Sequence, residues 1–356
     1  MNILRRLPLS RLLLLCGLVL AIGVSATALA FALGSGPTPP AKPLAQAVHD
    51  ALGAGPVQGV SANVQLTDHL LEGANLASGS GQGGGLASSP LVTGASGRLW
   101  ISNDGRVRLE LQAEKGDTQV IYDGHTVSVY DAATNTLYRY TPPTREAPDT
   151  APAHGEPPSV AKVEEAISHL RKHANVSDAS PTDVAGQPAY TVRVSPKEGG
   201  SLIGGAELSF DSVHGLPLRA AIYSSTSSSP VIELAATEIS YGPVADSVFA
   251  FTPPAGAKIE EVSIPHGPHA AAGGTEKPKL TIHGHGPSTI AVLEGKAGKK
   301  SGEPLEGLPK VAINGASATE LRTALGTVLS FERSGVRYLV AGSVTPAAIE
   351  AIARGL

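Results

Sequence analysis

Cysteine is almost missing from this 356-residue chain, and the one present, Cys16, sits in an apolar run near the N-terminus. The rest of the chain can therefore form no disulfide and offers no thiol nucleophile. Aromatic residues make up 4%, with Trp100 the sole tryptophan, so large rings cannot fill a wide interior. The net charge of −4 gives none of the bulk attraction that draws a protein to nucleic acid. No G-x-S-x-G nucleophile elbow occurs, and the serines gather in low-complexity loops such as 224–229. The carboxylate pairs Glu164-Glu165 and Glu260-Glu261 are adjacent in sequence, which points them apart. A non-enzymatic protein is expected, with no cofactor.

Glycine (41) and proline (28) are plentiful, as in a chain full of turns and loops. The abundance of Ala and Gly beside little Lys is associated with GC-rich bacterial genomes. Arg5, Arg6 and Arg11 precede an uncharged, mainly apolar run from Leu12 to Leu33. Its length suits a membrane anchor, for which about 20 residues are needed, while Ala28-Leu29-Ala30 offers a signal-peptide cleavage site. Either way, residues 1–34 are an export signal or anchor, the arginines stay cytoplasmic and everything after is exported. Cys16 follows Leu15 and precedes more apolar residues, a poor lipidation context, so it reads as inert.

Residues 35–42 read as a linker and 43–258 as the main domain. Leu44, Ala47, Val48, Ala51 and Leu52 recur at helical spacing, and a strand with Val60, Ala62, Val64 and Leu66 on one face follows. Residues 72–96 are rich in Gly, Ser and Ala; their literal G-x-G-x-x-G (Gly79 to Gly84) leads into no helix and reads as a loop. Then come SGRLWIS, RVRLELQAE, TQVIY, HTVSVYD and TLYRY, a meander turning at Asn103-Asp104-Gly105 and Asp123-Gly124. Val107, Leu109 and Leu111 share one face against Arg106, Arg108 and Glu110. Val120, Tyr122, Val127 and Val129 continue the apolar side.

A proline-rich loop (142–158) leads to a helix capped by Ser159, with Val163, Ile167 and Leu170 as its stripe. Glu165, His169 and His173 stand at i+4 spacing but lie off that stripe and lack a fourth ligand, so they read as a solvated face rather than a zinc site. His266, His269, His283 and His285 lie among Gly and Pro, and no metal is expected there. PAYTVRVS, AELSFD, LPLRAAIYSS, PVIELAATEISYG and FAFTPPAG bring the total to roughly ten strands, too many for a flat open sheet. The expected fold is mainly β (α+β): a curved antiparallel sheet forming an open half-barrel covered by helices. After a linker at 259–278 comes a small C-terminal α+β domain, 279–356. It ends in a hairpin turning at Ser334-Gly335 and a helix with Thr345 at its N-cap and Pro346 behind it.

The order of these phrases resembles the LolA-like lipoprotein carriers. The likeness runs from about Pro43 to Ile259 through the twice-turning meander, SFDSVHGLPL and FAFTPPAGAKI. The tail, with STIAVLEG, Ile313-Asn314-Gly315-Ala316 and VRYLVAGSVTPAAIEAIARGL, resembles the C-terminal domain of MucB/RseB-type sigma factor regulators. The resemblance implies an apolar cavity for a lipid or lipoprotein acyl chain, or capture of the exported part of an anti-sigma factor. Trp100, Val107, Leu109, Leu111, Val120, Tyr122, Val127 and Val129 are the candidate lining. In Leu99-Trp100-Ile101 either parity can face inward, and the apolar side chains either line a cavity or pack shut against the helices.

Overall fold

The computed structural model describes residues 36–71, 94–113, 116–142, 157–262, 279–296 and 308–356. The apolar leader with Cys16, the stretch 72–93, residues 143–156 and most of the 259–278 linker lie outside the described residues. No described helix is long and apolar enough to cross a membrane.

The larger sheet has thirteen strands. They are β1 (Gly59–Asp68), β2 (Ala95–Ser102), β3 (Val107–Ala113), β4 (Gly116–Tyr122), β5 (Val127–Asp131), β6 (Thr136–Tyr140), β7 (Ala174–Val176), β8 (Ser180–Val184), β9 (Gln187–Pro196), β10 (Ile203–Asp211), β11 (Pro217–Ser224), β12 (Pro230–Tyr241) and β13 (Lys258–Glu261). Their spatial order is β13-β6-β5-β4-β3-β2-β1-β12-β11-β10-β9-β7, with β8 also on β9. All pairs are antiparallel except β13 with β6. The sheet is curved and open, with no closed barrel. β13 falls where the sequence reads as the end of the domain and the start of a linker. Its partner is the exposed edge of the meander, which a lone apolar pattern does not announce.

Helices α1 (Leu44–Leu52) and α2 (Val160–His173) pack together on one face of this sheet. Leu44, Ala45, Ala47, Val163 and Ile167 are buried there against Tyr190 and Phe210. Ser159 caps α2 by accepting from Lys162 N–H. Leu170, expected in the core stripe, is 43% exposed. Residues 36–42 do not behave as a free linker: Pro39 is buried, and the Pro40 carbonyl accepts the Tyr190 hydroxyl at 2.6 Å.

FAFTPPAG forms no strand. Pro253 and Pro254 cannot supply ladder hydrogen bonds, and the segment instead crosses the sheet's other face. Phe249 lies under the Arg106 guanidinium (4.8 Å), and Phe251 meets the Tyr130 ring at 5.6 Å.

The smaller sheet holds six strands: β14 (Lys279–His283), β15 (Ile290–Lys296), β16 (Lys310–Ile313), β17 (Ala316–Arg322), β18 (Thr327–Arg333) and β19 (Val336–Gly342), in the order β14-β15-β19-β18-β17-β16. Helix α3 (Pro346–Arg354) covers one face, burying Ile349 and Ala353 against Val292, Leu329, Phe331 and Val340. Each large apolar side chain fully buried there contributes about 1.5–3 kcal/mol. Ser334 (φ 52°) and Gly335 (φ 77°) give the hairpin turn its left-handed pair. Thr345 occupies the N-cap position, although its hydroxyl makes no cap bond.

Candidate functional site

Strand register decides which side chains share a face, because directly paired residues point the same way. Val107 faces Tyr122, Leu109 faces Val120, and these continue to Val127 and Val129. On the other flank Leu109 pairs with Leu99, Leu99 with Ala62, and Ala62 with Ile239. Seven of the candidate residues, Val107, Leu109, Leu111, Val120, Tyr122, Val127 and Val129, therefore lie on one apolar face. Leu111 is closed off at 1% exposure within a cluster containing Val60, Ala62 and Val64; the other six are half-buried.

Trp100 departs from the candidate lining. It pairs with Arg108 and Ser61, which puts it on the opposite, charged face. The two parities of Leu99-Trp100-Ile101 look alike in sequence, and only register separates them.

The same apolar face runs on through β12, β11, β10 and β9, where its exposure changes along the strands. Tyr190 and Phe210 are buried beneath α1 and α2. Two residues further along β10, on the same face, Leu208 is 45% exposed, and its neighbours Ile222 and Leu234 are 38% and 37% exposed. Leu208 pairs with Val192 and Ala220, Ala220 with Leu234, and Ala206 with Ile222. Ala206, Leu208, Ala220, Ile222 and Leu234 thus form, among the described residues, an uncovered apolar floor on three adjacent strands. Sequence reasoning missed it: AELSFD and LPLRAAIYSS alternate like ordinary half-buried strands, and nothing local reveals where the helices stop.

The other face of these strands carries a network of ion pairs. Glu207 accepts from Arg193, Arg219 and the Tyr223 hydroxyl, and Arg219 also reaches Glu233. Burial works against the Glu207 carboxylate, yet the bonds from Tyr223, Arg219 and Arg193 outweigh it and hold its pKa below the usual carboxylate range. Arg193 lies over the Tyr223 ring at 4.4 Å. Charged side chains blanket that side, while apolar ones stand open on this side.

At the covered end, the turn 211–216 folds over the sheet. Asp211 is fully buried and accepts from the backbone N–H groups of Val213 and His214 and from the Tyr241 hydroxyl at 2.5 Å. Burial disfavours its charge, but these donors outweigh burial and keep its pKa below the ordinary range. The His214 ring packs, tilted by 33°, against Tyr241 with centroids 3.9 Å apart. Gly215 (φ 68°) lies so close to α1 that a Cβ there would stand 2.1 Å from the Ala51 carbonyl. The Asp211–His214 contact, at 3.2 Å, is thus committed to holding this turn.

The open end meets the smaller unit. Leu202 N–H and the Ser201 hydroxyl donate to the Ser343 carbonyl at 2.7 and 3.1 Å, Ala324 N–H donates to the Leu70 carbonyl, and His285 lies 3.0 Å from Glu198. The smaller sheet carries its own open face, opposite α3, with Leu280 61%, Ile282 55%, Leu293 38% and Leu339 37% exposed. Among the described residues no group of three or more His, Cys, Asp or Glu is placed to hold a metal ion. His169 and His173 are exposed, with ring centres 6.0 Å apart.

No family model matches the chain, and no curated protein does. Among solved structures it is similar to the Pseudomonas aeruginosa MucA/MucB complex, at 17% identity over 86% of this chain and 95% of that one, with a TM-score of 0.40. It is also similar to an uncharacterized conserved protein from Thermus thermophilus, at 10% identity over 62% of this chain and 97% of that one, with a TM-score of 0.35. A LolA superfamily protein from Nitrosomonas europaea aligns at 9% identity over 84% of this chain and 91% of that one, with a TM-score of 0.19.

Proposed function

We propose that this chain is an exported, non-enzymatic binding protein of the cell envelope that shelters a lipid or lipoprotein acyl chain on the apolar face of its half-barrel. The observation that carries this reading is the exposed floor at Leu208, Ile222 and Leu234, continuous with a face that is half-buried along the meander and buried beneath the helices. Contiguous exposed apolar surface marks a site of binding. Hydrocarbon laid on it leaves water at about 0.8 kcal/mol per methylene. The helices and the Asp211 turn would fix one end of the groove, and the smaller unit would border the other. The leader at Leu12–Leu33 would deliver the chain across the membrane and either hold it there or be removed. Displacement of a fluorescent fatty acid by palmitate, on detergent-free protein, tests the reading; a protein that takes up neither contradicts it.

A second reading rests on the smaller sheet's exposed row, Leu280, Ile282, Leu293 and Leu339. Here the C-terminal unit captures the exported part of an anti-sigma factor, and lipid on the floor reports the state of the envelope. Leu280→Ser with Ile282→Ser should abolish capture and leave fatty-acid uptake intact. Capture that survives the double substitution refutes this role for the face.

A further inference from the structure

The smaller sheet ends at β16, which among the described residues pairs with β17 alone. Glu320 N–H donates to the Pro309 carbonyl at 2.9 Å, and in this register 309 stands opposite 320, 311 opposite 318 and 313 opposite 316. Hydrogen-bonded pairs alternate along an antiparallel ladder. The N–H and C=O groups of Lys310 and Ala312 therefore point away from β17, off the free edge.

A pocket of about 170 Å³ opens at the start of this strand, walled by Pro309, Lys310, Val311, Glu320 and Arg322 among others. Glu320 is 2% exposed. Its Oε2 takes both Arg322 contacts, from Nε at 2.7 Å and Nη2 at 2.6 Å. Its Oε1 is buried with no hydrogen-bond partner among the described residues. A buried acceptor left unmet is costly, and a site that holds one favours a ligand that donates to it. Arg322 already balances the carboxylate charge, and Lys310 adds a cation at the pocket wall. A further cation is therefore disfavoured, and a neutral donor suits the position.

From this arrangement we infer a second binding site, separate from the apolar floor. An extended peptide segment adds to β16, its main chain pairing with Lys310 and Ala312. One of its hydroxyl or amide side chains enters the pocket and donates to Glu320 Oε1. The main-chain bonds supply affinity, and the buried carboxylate selects the side chain.

The probe is a fluorescein-labelled peptide, Gly-Ser-Val-Thr-Xaa-Thr-Val-Ser-Gly, titrated by polarisation with the full exported chain. Peptides with Ser, Thr or Asn at Xaa should bind roughly ten- to a hundredfold more tightly than those with Leu or Glu. Glu320→Gln keeps the shape. Its amide oxygen stays with Arg322 and its NH2 takes the orphaned position, so the preference should turn toward the acceptor Glu. Ala312→Pro removes only an outward N–H, a place where an edge strand tolerates proline, and should weaken every peptide alike. Fatty-acid uptake should be unchanged in both variants, which separates failure here from failure of the acyl-chain reading. Equal binding of donor and acceptor peptides, an unaltered preference in Glu320→Gln, or no binding of any peptide at millimolar concentration would overturn the inference.

Discussion

Leu208→Asp separates the floor from the rest of the apolar face. Leu208 is 45% exposed, so its removal forfeits only about half of the 1.5–3 kcal/mol that full burial would contribute. The fold should lose about 1–2 kcal/mol and remain cooperative in urea. Binding should suffer far more. With an acyl chain in place the leucine contact is lost, and a carboxylate too short to reach water lies under hydrocarbon, which adds at least about 1–3 kcal/mol. Together these amount to about 2–4 kcal/mol, a loss of roughly thirty- to a thousandfold in fatty-acid affinity. The assay is displacement of a fluorescent fatty acid, run beside Val129→Asp on the half-buried meander. If Leu208→Asp binds within threefold of the parent while Val129→Asp does not, the ligand lies on the meander and the exposure argument fails.

Trp100→Phe should leave fatty-acid affinity unchanged, and the native Trp100 emission should not shift on saturation, because the ring is on the charged face; a clear blue shift would contradict that placement. Asp211→Asn should cost about 1–3 kcal/mol near neutrality and alter the acid limb of the stability curve. The folded-state pKa of Asp211 lies below the ordinary 3.8. Its contribution is therefore complete above that value and lost as the pH falls through the native one. Urea midpoints measured from pH 6 to pH 2 should fall less steeply in the Asn variant, and parallel slopes would refute the assignment. Gly215→Ala should destabilise by more than the about 1–2 kcal/mol of a left-handed residue alone, because its Cβ meets the Ala51 carbonyl. Gly105→Ala, with open space around it, should show only that smaller cost, and equal losses would mean that the turn does not press on α1.

Elements whose signals are local were legible in the sequence. The Asp123-Gly124 and Ser334-Gly335 turns, the Ser159 cap and the alternating strands of the meander depend on neighbours within a few residues. What needed the third dimension was hidden. Trp100 and Leu99 are equivalent until β1 and β3 fix their register. FAFTPPAG has the apolar alternation of a strand, yet its prolines turn it into a cover for the outer face. β13 becomes a strand only because β6 offers an edge, and the open floor exists because α1 and α2 end before Leu208 does. The Glu320 carboxylate was likewise hidden: TELR reads as a polar strand end until the pocket and the Arg322 pairing are seen.

Whether the half-barrel carries an acyl chain in the cell is decided by native mass spectrometry of the exported protein purified without detergent. Satellite masses should match membrane lipids or lipoprotein acyl chains and should vanish in Leu208→Asp. Repeated recovery of ligand-free protein, or satellites that persist unchanged in Leu208→Asp, would contradict acyl-chain carriage.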